Sequence, residues 1–125
     1  MDKVGVLEVG DLELGKHATA QLREYFEDID KQEVKRATEI PYKLNEVLAD
    51  AKGVIVLIDA TDEKYMDQVV DKILDVEMKR DKPVQKLFVE KADESQETFQ
   101  RRAQEAAREN SEKLADKIKN LRENK

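Results

Sequence analysis

The chain has 125 residues, a length that builds one domain around a single modest core. Its 29 acidic and 23 basic residues give a net charge of −6, so no basic stripe is available for a phosphate backbone and nucleic acid is excluded as a default partner. The absence of cysteine excludes disulfides, thiolate nucleophiles and cysteine metal sites, and no apolar run approaches the roughly 20 residues of a membrane span.

Residues 3–9, KVGVLEV, are rich in β-formers and end at Gly10-Asp11, which predicts a first strand. Residues 16–28 place Ala18, Leu22 and Phe26 at steps of four, with Tyr25 and Ile29 alongside, the pattern of a helix with one apolar face. Residues 32–40, QEVKRATEI, alternate weakly and are mostly polar, which suits an edge strand. Pro41 then opens a helix whose narrow apolar face is Leu44, Val47, Leu48 and Ala51. After Gly53, residues 54–60, VIVLIDA, run almost continuously apolar, as a strand buried on both faces does. Met66, Val69, Val70 and Ile73 mark a third helix whose stripe closes at Glu77 and Met78. Residues 83–91, PVQKLFVEK, predict a fourth strand, with Gln85 and Lys86 marking a second edge. A long last helix follows, capped by Asp93 or Ser95. Its stripe is Phe99, Ala103, Ala107, Leu114, Ile118 and Leu121, interrupted by Asn110, and the tail from about Lys119 is expected to fray.

Strands and helices therefore alternate through residues 1–125 with no repeat and no linker, as one domain. Such alternation predicts an α/β fold: a three-layer α/β/α sandwich, flavodoxin-like or P-loop-like, with four parallel strands in the order 2-1-3-4. The polar strands two and four take the edges, and the switch point falls between strands one and three, where ligands of such sheets bind outside the carboxyl ends. The Met-Asp-Lys-Val start lacks the apolar stretch of a signal peptide, so a cytoplasmic protein without membrane contact is expected.

Gly10, Asp11, Gly15 and Lys16 follow strand one, Asp59 to Asp62 follow strand three, and Glu90 to Asp93 follow strand four. Gly10, four intervening residues, then Gly15-Lys16 reproduce most of a phosphate-binding loop, between a strand and a helix as the motif requires. In such a loop, glycines let backbone N–H groups curl around phosphate, the helix dipole adds positive potential, and the lysine reaches the outer phosphates. His17 stands where a hydroxyl would hold magnesium, and imidazole suits that hard ion poorly. Asp11 and Glu13 would oppose a polyphosphate. The alternative is a glycine turn ahead of a helix with a solvent-facing lysine. Asp11, Asp59 and Asp62 are oxygen donors, but they also read as ordinary loop and cap residues, and His17 is the single histidine. No metal site and no catalytic residue is assigned. The mixed charges on the last helix read as a solvated face.

The segments GDLELGKHAT, GVIVLIDATD and KLFVEKAD occur in the order and spacing of a Ras-superfamily small GTPase, and the second half most resembles the Rag branch. That resemblance implies guanine-nucleotide binding, with GTP or GDP as the ligand. Gly10, Gly15 and Lys16 would hold phosphate, Lys91 would pack along the base, and Asp93 would accept the guanine N–H donors. Glu90 stands where the family carries Asn, no Asp-x-x-Gly precedes the second helix, and the chain between Lys16 and Gly53 is too short for the usual switch region. Hydrolysis needs magnesium and a positioned water, so its loss is expected and the resemblance implies a pseudo-GTPase.

More weakly, VIVLIDATD is similar to the acceptor strand of a receiver domain, and FVEKADESQETFQRRAQEAAREN to part of archaeal riboflavin synthase. Likeness to several unrelated families at once is what a shared fold produces. The remaining reading is a non-catalytic interaction domain, or an engineered chain, with no ligand site and with a protein partner or a second copy as its contact.

Overall fold

The computed structural model describes residues 2–123, and the side chains of residues 2–121. The elements are β1 (Lys3–Val9), α1 (Leu14–Leu22), β2 (Asp28–Glu33), a short 3-10 turn (Ala37–Glu39), α2 (Ile40–Leu48), β3 (Gly53–Asp59), α3 (Met66–Arg80), β4 (Val84–Val89) and α4 (Gln96–Glu123). The four strands form one sheet in the order β2-β1-β3-β4, with every neighbouring pair parallel, as the element pattern predicts.

Strand parity decides which side chain meets which helix layer. On one face Val4, Val6, Ile55 and Leu57 pack with α1 and α4 through Leu14, Ala18, Leu22, Phe99, Ala103, Ala107, Leu114 and Ile118. On the other face Leu7, Val9, Val54, Val56 and Ile58 pack with α2 and α3 through Leu44, Val47, Leu48, Val69 and Ile73. Both central strands are thus buried on two sides, which is why β3 reads as an unbroken apolar run.

The first helix and second strand differ from expectation. α1 ends at Leu22, and β2 spans Asp28–Glu33 where residues 32–40 were expected. Phe26 and Ile29 continue the spacing of Ala18 and Leu22, so their periodicity suits a helix, but they reach the same core from a turn and a strand. Phe26 N–H bonds back to the Leu22 carbonyl at 2.9 Å and closes that turn. The Tyr25 hydroxyl donates to Glu112 of α4 at 2.7 Å, and that carboxylate pushes the phenol up to about 12.

Ser95, not Asp93, caps α4: its Oγ accepts the Thr98 N–H at 3.1 Å. The helix is continuous to Glu123, and residues 124–125 of the expected tail lie outside the described residues. Asn110 interrupts the apolar stripe because it faces β4. Its Oδ1 accepts from Gln85 Nε2 at 2.6 Å, and its own amide donates to the Ala106 carbonyl at 2.8 Å. Among the described residues no helix is long and apolar enough to cross a membrane.

Candidate functional site

The carboxyl ends of β1, β3 and β4 meet at one end of the sheet and carry the residues singled out above. Gly10 turns the chain with φ +118°, a conformation that favours glycine, and a Cβ there would lie 2.8 Å from that of Asp59. The loop after β1 therefore rests on the tip of β3, the juxtaposition a switch-point site needs. Leu12, only 2% exposed, points into the core with Val89 and Phe99. Its carbonyl accepts from Gln104 of α4 at 2.9 Å, so the loop is pinned from two directions.

Glu8 dominates the local electrostatics. It follows Val4 and Val6 on the α1 face of β1, is 3% exposed, and sits beneath the first turn of α1. Its two carboxylate oxygens accept the Leu14 N–H at 2.9 Å and the Gly15 N–H at 2.8 Å. These are the backbone donors that a phosphate-binding turn would offer its ligand. Glu13, the residue ahead of the helix, makes no side-chain cap and is left-handed at φ 60°, so Glu8 supplies the acceptors from below. Burial pushes the Glu8 carboxyl up, opposed by the Gly15 and Leu14 N–H groups and by Lys31, while Glu33 adds to the rise. A Cβ at position 15 would fall 2.9 Å from Glu8 Oε1 and 3.1 Å from Lys31 Cε, so a larger residue there would push on the ends of both side chains.

Lys16 is exposed on the outside of α1, with Glu13 at 3.9 Å as its ion-pair partner. His17 turns toward α4, where its Nδ1 contacts the Arg108 guanidinium. Partial burial, followed by Arg108 and Lys16, lowers its pKa. At the tip of β3, Asp59 Oδ1 accepts the Thr61 hydroxyl at 2.6 Å and the Thr61 N–H at 3.1 Å. Thr61 Oγ1 in turn accepts the Lys91 N–H at 3.1 Å, joining the β3 and β4 loops.

The Lys91 and Asp93 side chains are exposed. The neighbouring Glu94 takes the structural role: it accepts the Ala92 N–H at 2.9 Å and pairs with Arg102 at 2.7 Å. Those bonds hold its carboxyl below the usual range. Arg102 also reaches the Glu90 carbonyl at 3.2 Å and lies over the Phe99 ring at 5.4 Å from its centroid. Gly10 thus stands beside the β3 tip and Lys91 beside Thr61, while Gly15 is covered by Glu8 and Lys16 points outward.

An open cleft of about 690 Å³ adjoins the β1 end, between the tips of β1 and β2. Glu8, Asp11, Glu13 and Glu33 line it, with Lys35 as the basic residue, a sign of charge that repels polyphosphate. Among the described residues no group of three or more His, Cys, Asp or Glu is placed to hold a metal ion.

Sequence reasoning missed Glu8. The signal was present: a carboxylate that continues the Val4, Val6 face of a strand made, after Lys3, of valine, leucine and glycine, ahead of a glycine-containing turn.

These features define a flavodoxin-like α/β domain. No family model and no curated protein sequence matches the chain. Among solved structures it is similar to a split-gene transketolase in an inactive β4 tetramer (TM-score 0.58, 13% identity), covering 91% of this chain and 40% of that one. It is also similar to the Streptococcus pneumonia TIGR4 flavodoxin (TM-score 0.50, 15% identity), covering 92% of this chain and 99% of that one. At these identities the likeness is one of fold, flavodoxin-like and transketolase-like. It lends no support to the Ras-superfamily resemblance.

Proposed function

We propose that this chain is a non-catalytic flavodoxin-like domain that works through its surfaces, with its phosphate-type turn closed by its own carboxylate. The observation that carries this reading is the pair of hydrogen bonds from Leu14 and Gly15 N–H to Glu8. A phosphate entering there would have to displace a bonded, buried carboxyl group and then face Asp11, Glu13 and Glu33 across the cleft. Lys16 points away from those N–H donors toward solvent and Glu13, and contributes nothing to opening the turn.

The test is a thermal shift with GDP, GTP, ATP and inorganic phosphate, each with and without magnesium. A ligand at 100 times its dissociation constant stabilises the native state by about 2.7 kcal/mol. For a chain of this size that raises the midpoint by roughly 10 °C. The expected shift is below about 1 °C for every ligand, and Lys16→Ala and Asp93→Ala should behave like the parent. A rise of several degrees with a guanine nucleotide, abolished by both substitutions, would overturn this proposal. It would establish instead a degenerate GTPase-like site at Gly10, Gly15, Lys16, Lys91 and Asp93.

A further inference from the structure

A row of polar side chains on α4, one helical turn apart, ties that helix to the first part of the chain. Gln100, Gln104, Arg108 and Glu112 recur at every fourth position and form one ridge. Gln100 and Gln104 both donate to the Leu12 carbonyl, at 3.4 and 2.9 Å. Arg108 meets His17 Nδ1, while Glu112 accepts from Gln21 and, at 2.7 Å, from the Tyr25 hydroxyl. The ridge therefore follows the chain from the loop after β1, along α1, to the turn ahead of β2.

One rung of this ridge changes its charge near neutral pH, the contact of half-buried His17 with Arg108. A guanidinium has N–H donors and no acceptor, so the ring nitrogen it meets carries a lone pair. His17 is then neutral, with its ring proton on Nε2. A proton taken up from solvent goes to Nδ1. It removes the acceptor and sets an imidazolium against a guanidinium. His17 is also the fourth residue of α1, where the helix dipole disfavours positive charge. Lys16 adds a like charge beside it, and the carboxylate of Glu13, 3.9 Å from Lys16, opposes both. On α4, Glu105 stands one turn before Arg108 and is exposed, and Arg101, two turns before, is held by Glu97 at 3.0 Å. Glu112, one turn after, is engaged by Tyr25. Burial, Arg108 and Lys16 outweigh Glu13 and hold the imidazole below its ordinary 6.5.

We infer that His17 is a proton-sensitive latch between α1 and α4: the neutral imidazole holds Arg108, and the protonated one releases it and lets the first turns of α1 open more often. The latch sits one turn along the ridge from Gln104, the residue that pins Leu12, so its release is felt in the loop after β1. The folded chain binds this proton less tightly than the unfolded chain does. Stabilisation by the latch is therefore complete above pH 6.5 and is lost as pH falls through the lower, folded value. The Glu8 proton acts with the opposite sign, so the stability of the whole protein mixes the two. The imidazole of the chain's single histidine reports the latch alone. This inference stands apart from the reading of the Glu8 turn and does not depend on it.

An NMR titration of the full chain, read at the imidazole, provides the test. The expected midpoint lies below 6.5, and the neutral ring should carry its proton on Nε2. Arg108→Ala, a change at an exposed position, should raise the midpoint toward 6.5, and Lys16→Ala should raise it by less. Amide hydrogen exchange, corrected for its intrinsic dependence on pH, reads the opening. From Gly15 to Ala18 it should be about threefold faster below the midpoint than above it, the modest size of one surface hydrogen bond. His17→Gln keeps an acceptor for Arg108 and has no proton to gain, so its corrected exchange should stay flat over the same range. A midpoint at or above 6.5, a midpoint that Arg108→Ala leaves in place, or a neutral ring protonated on Nδ1 would overturn the inference. So would exchange in the parent that matches His17→Gln throughout.

Discussion

Replacing Phe99 with alanine is expected to destabilise the fold by about 3–5 kcal/mol, the usual range for an aromatic side chain removed from a packed core. Phe99 is 1% exposed in the first turns of α4 and belongs to the core layer that holds Leu12, Val89 and Ala103. One face of its ring carries the Arg102 guanidinium at 5.4 Å, the group that also fixes Glu94 and the Glu90 carbonyl. Its loss therefore reaches beyond a cavity. The β4–α4 loop loses the platform under its arginine, and Leu12, which anchors the loop after β1, loses a neighbour. Urea denaturation should show the midpoint reduced with an unchanged slope. Hydrogen exchange should rise at Gly10 to Glu13 more than at β2, on the far edge of the sheet. A loss below about 1 kcal/mol would mean that α4 is not held at its start by this residue.

The strand order was legible because burial leaves a composition behind. β3 needs apolar residues on both faces and shows them from Val54 to Ile58, and β4 announces its edge position by Gln85 and Lys86; the other edge was inferred from polar residues 32–40, although β2 itself is Asp28–Glu33. The end of α1 was not legible, because Leu22, Phe26 and Ile29 keep helical spacing whether or not the chain between them is helical. A turn that delivers two apolar residues to one core reproduces the helical period by coincidence of reach. Asn110 read as a defect in a stripe until Gln85 supplied its partner from a strand 25 residues earlier. That pairing is set by tertiary register and leaves no local trace.

The turn after β1 shows the same limit at the site itself. Gly10, Gly15 and Lys16 are placed in the sequence as a phosphate loop places them, and the sequence motif specifies backbone donors at the start of a helix. It does not specify what those donors bind. Here the occupant is encoded six and seven residues upstream of the donors, in the side chain of Glu8, and reaches them only because β1 parity turns position 8 under α1. Glycine at position 15 suits either case: in one it admits a ligand, in the other it leaves room for a carboxyl oxygen 2.9 Å from where a Cβ would stand.

Glu8→Ala is the second large effect expected, a loss of about 2 kcal/mol, and it has a pH signature that an ordinary core truncation lacks. Each backbone N–H left without a partner away from water costs about 1–3 kcal/mol, and two are left here. Relief from burying a carboxylate offsets part of that. The sign of the pH dependence follows from the direction of the shift. The folded-state pKa of Glu8 is raised above its ordinary 4.5, so the folded protein holds this proton more tightly than the unfolded chain does. The stabilisation from that proton is complete below pH 4.5 and is lost as pH rises through the raised value. The alanine variant has no such group, so the gap between parent and variant should be widest in acid and narrow toward neutrality. Glu8→Gln removes the ionisation while keeping the shape, and should abolish the same slope with a smaller loss at neutral pH. Urea unfolding of the three proteins across that range measures it. A gap that widened with pH would show instead that the ionised carboxylate is the favoured form at the helix start. Its bonds to Leu14 and Gly15 would then outweigh its burial.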